Sequence, residues 1–298
     1  MKVIITGISG FVGQNLSKYL EVNNYDIEGL SLRNNWRLAI NSDALIHLAG
    51  KAHDTENTSK DEEYFKINTE LTKKLFDDFL NSEINDFIYF SSVKATADTI
   101  EGILDEEHLS DPKTVYGKSK LLAEQYLLSK NLPKGKRLFI IRPCMIHGPG
   151  NKGNLNLLYK VVEKRIPWPL AAFENQRSFL SIDNLNFLIL QIIKNKELQS
   201  GIYNFADDHF ISTNQLIQII SSASGKKSRL WKIPIGLILF ASKLGDKIKL
   251  PLNSERLKKL TESYLVSNEK IKKALKIKNL PVSAEQGLTK TIKSFQSN

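Results

Sequence analysis

The sequence predicts an α/β fold in which a doubly wound parallel sheet with helices on both faces is followed by a smaller C-terminal cap. Three observations predict it. Short apolar runs alternate with segments of helical periodicity through the first half of the 298 residues, which is typical of βαβ units. The chain opens with a strand, a glycine-rich turn and a helix. Beyond Pro143 the pattern becomes irregular and prolines interrupt it, which indicates shorter elements in a second unit.

Each predicted element has its own local signal. Buried parallel strands are near-continuous apolar runs, whereas helices repeat apolar residues every three or four positions. In chain order these signals predict a strand at Val3–Ile5, a helix at Val12–Glu21, strands at Ile27–Leu32 and Ala44–Ala49, a helix at Asp61–Leu80, a strand at Phe87–Phe90, a helix at Thr114–Ser129 and a strand at Leu138–Ile141. We expect residues 1–150 to form mainly the sheet domain and residues 151–298 mainly the cap, with segments from about 178 to 210 returning to the sheet.

The composition is that of an ordinary globular protein, with 41% hydrophobic and 25% charged residues, and it excludes disordered and collagen-like chains. The single cysteine, Cys144, cannot form an intramolecular disulfide, and the first residues show no signal-peptide pattern. A cytoplasmic location is therefore expected. The apolar stretch Ile233–Ala241 is far shorter than the roughly 20 residues that cross a bilayer, so we predict a buried helix there and no membrane span.

The formal net charge of +10 is concentrated near the C-terminus. Between Lys226 and Lys278 there are 15 Lys and Arg residues against 4 Asp and Glu residues. Such a surface attracts an anionic substrate, an anionic membrane face or a nucleic acid; a solvated lysine-rich helical face is the alternative interpretation. Because nucleic-acid-binding motifs are missing from the sequence, no nucleic-acid partner is expected.

The turn after the first strand reads Thr6-Gly7-Ile8-Ser9-Gly10-Phe11-Val12-Gly13. In such a loop the first glycine permits a tight turn, the second lets the backbone approach a pyrophosphate, and the third lets the helix pack against the strand. The helix N-terminus then receives the negative charge. The pattern predicts a dinucleotide-binding loop, and the residues predicted to contact the cofactor are Gly7, Ser9, Gly10, Phe11, Val12 and Gly13.

A second motif places Tyr116 four residues before Lys120, with Ser92 lying 24 residues before the tyrosine at a strand end. On a helix the tyrosine and the lysine project from one face. The ammonium of Lys120 is predicted to lower the pKa of Tyr116, so that the phenol exchanges a proton with a substrate oxygen that Ser92 hydrogen-bonds. The alternative is an ordinary surface helix, since this spacing is common by chance. Together with the dinucleotide loop, the spacing favours three catalytic residues.

A metal site is not expected. The histidines His53, His108 and His209 have no partners at metal-ligand spacing.

The combined motifs resemble the extended short-chain dehydrogenase/reductase superfamily, which contains NAD(P)-dependent sugar-nucleotide epimerases, dehydratases and reductases. His47-Leu48-Ala49-Gly50 is similar to the family segment under the cofactor, and Asn68 holds a characteristic helix position. The segments Arg142–Gly150 and Arg177–Leu185 are similar to the family segments beside the nicotinamide and the nucleotide diphosphate, with His147 in place of the usual tyrosine. The resemblance implies a Rossmann-type sheet with a C-terminal substrate-binding cap, and a homodimer.

The resemblance also implies further site residues. For the cofactor it adds Leu48, Ala49, Gly50, Asn68 and Pro143 to the glycine loop, Tyr116 and Lys120. For a UDP-linked sugar substrate it implies Ser92, Lys94, Asn154, Arg177 and Arg256, of which Arg177 contacts the diphosphate and Arg256 is a second phosphate contact.

Two departures from the family pattern concern the cofactor. Family members that prefer NAD carry an acidic residue at the end of the second strand, where this chain has Ser31-Leu32-Arg33. Ser31 and Arg33 suit a 2′-phosphate, so NADP(H) is preferred and NAD(H) remains possible, with Arg33 as a solvated loop residue in the alternative. The short stretch from Arg33 to Asp43 further predicts that the usual third strand is abbreviated or absent.

The reaction class follows from a similar comparison. Family dehydratases carry an Asp-Glu pair after the catalytic Ser or Thr, whereas Ser92 is followed by Val93-Lys94, which disfavours elimination. The segments at 91–94 and 150–154 resemble a bacterial surface-polysaccharide subgroup that reduces UDP-4-keto-6-deoxy-N-acetylhexosamines. We therefore predict an NADP(H)-dependent 4-keto reductase. The alternatives are an NAD-dependent UDP-hexose or UDP-N-acetylhexosamine 4-epimerase and a non-catalytic NADP(H)-binding sensor or scaffold.

Overall fold

A computed structural model describes residues 1–39, 41–51, 60–151, 154–248 and 253–296, without the side chains of 154, 247 and 248. Its strands in chain order are β1 (Lys2–Thr6), β2 (Asp26–Leu30), β3 (Ala44–His47), β4 (Asp86–Phe90), β5 (Ile103–Leu104), β6 (Arg137–Pro143), β7 (Met145–His147), β8 (Gln176–Arg177), β9 (Phe179–Ser181), β10 (Gly201–Phe205), β11 (Ile211–Ser212) and β12 (Leu265–Val266). The helices are α1 (Phe11–Val22), α2 (Asp61–Tyr64), α3 (Leu71–Leu80), α4 (Val115–Ser129), α5 (Asn154–Glu163), α6 (Ile182–Lys194), α7 (Thr213–Ala223), α8 (Ile235–Ile248), α9 (Ser254–Thr261), α10 (Glu269–Leu275) and α11 (Ala284–Gln296). A π-helical turn at Phe65–Glu70 joins α2 to α3, and a 3-10 turn at Val93–Ala95 follows β4.

The predicted fold class is confirmed by a six-stranded sheet in the order β2-β1-β3-β4-β6-β10, with every neighbouring pair parallel. Thr6 of β1 lies opposite Leu30 of β2 on one side and His47 of β3 on the other. The carboxyl ends of these three strands are therefore level, and the loops that follow them meet at one edge. In open parallel sheets this edge is where ligands bind.

The strands are apolar because both faces of the sheet are covered. Alternate residues of each strand belong to two separate cores. One core contains Val3, Ile5, Ile46, Ile88, Phe139 and Ile141 together with residues of α1 and α6. The other contains Ile4, Leu45, Phe87, Tyr89, Leu138 and Ile140 together with residues of α3 and α4. Burial on two faces explains why these strands read as continuous apolar runs.

The predicted loss of the third strand is confirmed for the described residues between Leu30 and Ala44, where no strand occurs and β2 forms the edge of the sheet. The connection packs against α3 instead. The Trp36 indole N–H donates to Asp78 at 2.8 Å, and the ammonium of Lys74 lies 4.5 Å from the centre of the Trp36 ring.

The C-terminal part has its own hydrophobic core, which includes Trp168, Ile220, Leu257 and Leu288. Short strand pairs join the parts of the chain: β5 with β12, β7 with β9, and β8 with β11. The chain nevertheless returns to the main sheet, because α6 packs against α1 and β10 lies beside β6. The division into domains at residue 150 stays a prediction.

The apolar stretch at Ile233–Ala241 is helical from Ile235 onwards, in α8, but the prediction that it is buried is wrong. Ile238 is buried against the cap core, whereas the large apolar side chains around it are exposed to solvent. None of the helices in the described ranges has the length and apolar character needed to cross a membrane.

Candidate active site

The glycine loop forms a tight approach between β1, α1 and the segment after β3. Gly7 has a φ of +69°, and a Cβ placed there would lie 2.7 Å from the backbone N of Ala49. A Cβ at Gly13 would lie 2.4 Å from the carbonyl oxygen of Gly7. Gly10 precedes α1 and supplies no side-chain cap. The first backbone N–H groups of α1 can therefore donate hydrogen bonds to a pyrophosphate.

The other loop residues predicted to contact the cofactor lie at the same helix terminus. Ser9 is exposed, and its carbonyl oxygen accepts from the Gln14 side chain at 3.0 Å. Phe11 and Val12, the first residues of α1, are half-buried. Their backbone positions suit contact with a phosphate, and their contact with a cofactor stays a prediction.

The segment after β3 is held beside the glycine loop through His47. The Thr6 hydroxyl lies 2.7 Å from Nδ1 of His47 and accepts from the backbone N of Ala49 at 3.1 Å. Nε2 of the same ring lies 2.9 Å from the Thr72 hydroxyl. Burial, followed by the charge of Lys120, lowers the pKa of His47 to about 3. His47 is therefore neutral and fixes the backbone of Leu48 and Ala49 at the sheet edge.

Asn68 links this segment to α4. It is fully buried in the π-helical turn. Its Oδ1 accepts from the backbone N of Lys51 at 2.7 Å, and its Nδ2 donates to the Lys51 carbonyl and to the Ser119 hydroxyl at 3.1 and 3.0 Å. A Cβ at Gly50 would lie 3.0 Å from Asn68 Oδ1 and 3.2 Å from the ammonium nitrogen of Lys120. These bonds favour a positioning role for Asn68, whereas its direct contact with a cofactor stays a prediction.

Ser92, Tyr116 and Lys120 lie together at the carboxyl end of β4. Ser92 precedes the 3-10 turn, and its hydroxyl accepts from the backbone N of Lys94 at 3.2 Å. Gly117 lets α4 approach this turn, because a Cβ there would lie 2.3 Å from the carbonyl oxygen of Lys94. Gly117 was not predicted as a site residue, although its place inside the Tyr116–Lys120 motif is a signal.

The electrostatics of the pair differ from the prediction. Burial raises the pKa of Tyr116, and a hydrogen bond with Ser92 only partly offsets this. Burial also lowers the pKa of Lys120 to about 8, against the opposing charge of Glu124. The predicted lowering of the Tyr116 pKa by Lys120 is therefore wrong, because the loss of solvent contact is the largest influence on this phenol. The ammonium of Lys120 donates to the carbonyl of Phe90 at 2.8 Å.

A buried network of charged side chains lies next to Ser92, Tyr116 and Lys120. The guanidinium of Arg142 in β6 donates through Nε to Glu124 Oε1 at 3.0 Å, and through Nη2 to Oε2. The Ser91 hydroxyl donates to the same carboxylate. Glu124 follows Lys120 by four residues on one face of α4. Glu124 was not predicted as a site residue, although its spacing from the opposite charge of Lys120 is a signal in the sequence. Pro143, predicted near the cofactor, ends β6 and is buried.

Ser31 and Arg33 follow β2 at the level of the glycine loop, and both are exposed. The backbone N of Arg33 donates to the Ser31 hydroxyl at 3.4 Å. The acidic residues of β2 lie earlier: Asp26 is at the first position, and Glu28 pairs with the Lys2 ammonium at 2.7 Å. The residues that follow β2 therefore offer a cation and a hydroxyl.

The predicted substrate residues are only partly brought together. Lys94 is half-buried, donates to the Asp98 carbonyl at 2.7 Å, and lies 4.0 Å from the centre of the Tyr264 ring. Its pKa is lowered by burial, and the charge of Arg177 acts in the same direction. Arg177 donates through Nε to the Glu262 carbonyl at 3.2 Å and through Nη2 to the Lys259 carbonyl. Arg177 therefore caps the carboxyl end of α9.

Arg256, another predicted substrate residue, is not brought to this group. Arg256 is exposed in the first turn of α9, at the opposite end from Arg177. The side chain of Asn154, at the start of α5, lies outside the described residues. His53 also lies outside them, and within the ranges described no group of three His, Cys, Asp or Glu side chains has a metal-binding arrangement.

Comparisons with known proteins agree with this geometry. The model of the NAD dependent epimerase/dehydratase family matches residues 3–206. The chain is 27% identical to a UDP-glucose 4-epimerase from Vibrio cholerae, covering 98% of this chain and 95% of the relative. It is 26% identical to a GDP-6-deoxy-D-mannose reductase from Pseudomonas aeruginosa, covering 74% and 79%. The structure of RMD from Pseudomonas aeruginosa complexed with NADPH has the same fold, with a TM-score of 0.75, 19% identity, and coverage of 100% and 99%.

Proposed function

The chain belongs to the NAD dependent epimerase/dehydratase family, and from that premise we propose that it reduces a nucleotide-linked 4-keto sugar with NADP(H). At the coarser level it is an NAD(P)-dependent oxidoreductase or epimerase that acts on sugar nucleotides. The finer proposal is a UDP-4-keto-6-deoxy-N-acetylhexosamine substrate, in the cytoplasmic synthesis of a bacterial surface polysaccharide.

The residues around the glycine loop fit a dinucleotide. The space beside Gly7 and Gly13 is so narrow that a Cβ would fill it, and the uncapped start of α1 offers amides to a pyrophosphate. Gly7, Gly10 and Gly13 would hold the pyrophosphate, and Lys120 would hold the ribose next to the nicotinamide. When bound, the dinucleotide supplies a hydride.

The observation that carries the choice of NADP(H) is the end of β2. A 2′-phosphate needs a cation and hydrogen-bond donors, whereas a free ribose needs an acidic acceptor. Ser31 and Arg33 stand exposed beside the glycine loop, and Glu28 is engaged with Lys2. A cofactor that is exchanged at each turnover suits a reductase better than an epimerase, which reuses one bound NAD.

The acid-base groups are compatible with reduction. The Tyr116 phenol, whose pKa is raised by burial, carries the proton that a carbonyl oxygen takes up when it becomes a hydroxyl. Ser92 hydrogen-bonds that oxygen, and Lys120, with a pKa of about 8, stabilises the phenolate left behind. Arg177 contacts the diphosphate and Lys94 contacts the substrate beside Ser92, whereas Arg256, at the other end of α9, stays outside this proposal.

The test is the oxidation of NADPH or NADH by the purified protein, with a UDP-4-keto-6-deoxy-N-acetylhexosamine produced in situ by a dehydratase. Stoichiometric loss of NADPH with a reduced sugar product is expected. Tyr116→Phe should abolish turnover and leave NADPH binding nearly unchanged. Retained turnover in this variant would contradict the assignment of the proton donor.

A second candidate is an NAD-dependent UDP-hexose 4-epimerase, favoured by the identity shared with the Vibrio cholerae epimerase over almost the full length of both chains. Co-purification of NAD and interconversion of UDP-hexoses would establish it in place of the reductase. A non-catalytic NADP(H)-binding scaffold is disfavoured because Ser92, Tyr116 and Lys120 are all present and assembled.

The homodimer also belongs to the proposal, with α3 and α4 at its interface. Leu122 and Leu128 on α4 are exposed, and they supply the apolar surface that a dimer of this kind buries. Light scattering on the purified protein should give the mass of two chains, and Leu122→Glu with Leu128→Glu should give the mass of one.

A further inference from the structure

The helix α8 has apolar side chains around most of its circumference. Ile238 faces the cap core, and α9 packs beside the helix. On the remaining surface Leu237 and Phe240 are 61% and 63% exposed, and Leu239 and Leu244 are exposed as well. A helix that is apolar on all sides is normally buried in a large core or in lipid. Single exposed apolar residues are ordinary on a protein surface, whereas several of them side by side on one helix are not.

The segment that leads into α8 extends this surface. Residues 229–232 pair with residues 168–171 through the bridges Trp168 to Leu230 and Leu170 to Lys232. Trp168 is buried, whereas Trp231 is 57% exposed. We call the exposed apolar residues of this segment and of α8 the docking face. They are Trp231, Ile235, Leu237, Leu239, Phe240 and Leu244.

The docking face is surrounded by positive charge. Residues 226–246 contain five Lys and Arg residues and a single acidic residue, Asp246. Lys227, Arg229, Lys232 and Lys243 are exposed. The carboxylate of Asp246 accepts from the backbone N and the hydroxyl of Ser254 at 2.9 and 2.6 Å, so it caps the neighbouring helix. The face therefore combines apolar side chains with a basic rim.

We propose that the docking face binds the surface of a bilayer that contains anionic phospholipids, with α8 lying in the plane of the interface. Apolar residues backed by Lys and Arg are the combination that inserts into the boundary between headgroups and acyl chains. The helix has 14 residues, a length of about 21 Å at 1.5 Å per residue, which is too short to span a hydrocarbon core of about 30 Å. Trp231 has the amphipathic ring that favours this depth.

A second copy of the chain fits the docking face less well. A two-fold interface brings the same patch against itself, so the basic rims of two copies, including Lys232 and Lys243, would face each other. Like charges at an interface oppose association, whereas anionic headgroups complement them. Charge complementarity thus favours the bilayer over self-association.

The docking face also lies close to the proposed substrate site. The helix α9 connects them: it packs on α8, and its carboxyl end is bound by Arg177. A bilayer at the docking face would bring the proposed diphosphate site close to the membrane surface. The docking itself needs no cofactor or substrate, so it can be tested apart from the proposed function.

The test uses the purified full-length protein with vesicles of phosphatidylcholine alone or with about 30% phosphatidylglycerol. We expect cosedimentation with the anionic vesicles that weakens as salt is raised, with a blue shift of tryptophan fluorescence that Trp231→Phe removes. Leu237→Ser with Phe240→Ser should weaken binding at least about tenfold. The double variant Lys232→Glu with Lys243→Glu keeps the apolar residues in place, and it should weaken binding to the anionic vesicles through its change of charge.

Leu109→Ser provides the matched control, because Leu109 is 94% exposed and belongs to a segment rich in acidic residues rather than to the docking face. Its vesicle binding should equal that of the wild type. The proposal is overturned if the wild type does not bind anionic vesicles, if Leu109→Ser weakens binding as much as the α8 variants, or if the face proves to hold a dimer that Phe240→Ser dissociates. NADPH oxidation in solution should be the same in all these variants.

Discussion

Replacing Glu124 with Gln tests the buried network beneath the candidate catalytic residues. The side chains of Glu124 and its partner Arg142 are 1% and 4% exposed. Arg142 donates to both carboxylate oxygens, and the Ser91 hydroxyl donates to one of them. Glutamine keeps the shape but leaves the buried guanidinium without its counter-charge. Breaking a buried pair by removing one partner costs about 3–5 kcal/mol. Because the amide oxygen of glutamine still accepts a hydrogen bond, we expect this variant to lose about 3 kcal/mol of unfolding free energy.

The assay is urea unfolding followed by circular dichroism, together with the midpoint of thermal unfolding. A loss of about 3 kcal/mol corresponds to a midpoint lower by about 6 °C for a chain of this size. The control is Glu255→Gln on α9, because Glu255 pairs with Lys259 at 2.7 Å and both side chains are exposed. That change should stay within about 0.5 kcal/mol. Equal losses of stability in the two variants would refute the argument from burial.

The same substitution has a second readout that a purely structural role would not move. The charge of Glu124 raises the pKa of Lys120 against the effect of burial. Its removal should therefore lower the Lys120 pKa below its value of about 8, and the alkaline limb of the rate profile should move to lower pH. An unchanged limb in a folded variant would separate Glu124 from Lys120.

Three further predictions concern the cofactor, the catalytic turn and the sheet edge. Arg33→Asp should raise the KM for NADPH at least about tenfold and lower that for NADH, because a charged hydrogen bond is worth about 1.5–3 kcal/mol; Arg37→Asp is the control, and an unchanged preference would remove the argument for NADP(H). Gly117→Ala should reduce kcat about 100-fold, since its Cβ would push the turn that carries Ser92; a more stable and fully active variant, as expected for alanine in an unhindered helix, would contradict this. The pKa of His47 is lowered from 6.5 to about 3 in the folded state, so the unfolded chain binds a proton at this ring first, and stability is lost as the pH falls from 6.5 towards 3. The fall in unfolding free energy between pH 6.5 and 4.5 should therefore be smaller in His47→Gln than in the wild type. An equal fall in the two proteins would show that this ring does not contribute.

The sheet could be predicted because burial on two faces leaves a local trace in the sequence. The runs at β1, β3, β4 and β6 are apolar at consecutive positions, and their predicted and observed bounds differ by only a few residues. The edge strand β2 is more polar, and its prediction ran two residues too far, to Leu32. At an edge one neighbour is missing, so the pattern that separates strand from loop is weaker.

The helix α8 shows where a local trace is ambiguous. An apolar run of this length predicts a helix that is removed from water, and the sequence does not say which surface removes it. In the structure the cap core takes Ile238 and leaves Phe240 and Leu237 uncovered. The error concerned the partner of the helix, which depends on long-range packing, and the helix itself was predicted.

The Tyr116–Lys120 pair shows why spacing alone cannot give a pKa. Spacing fixes that the two groups share a helix face, and a neighbouring cation by itself lowers the pKa of a phenol. Burial disfavours the charged form of each group, so it raises the pKa of Tyr116 and lowers that of Lys120. How deeply α4 sits against the turn that carries Ser92 is set by Gly117 and its contact with the Lys94 carbonyl. Spacing therefore predicts which groups meet, whereas the burial that raises the pKa of Tyr116 depends on how closely α4 packs, and Gly117 leaves room for that packing.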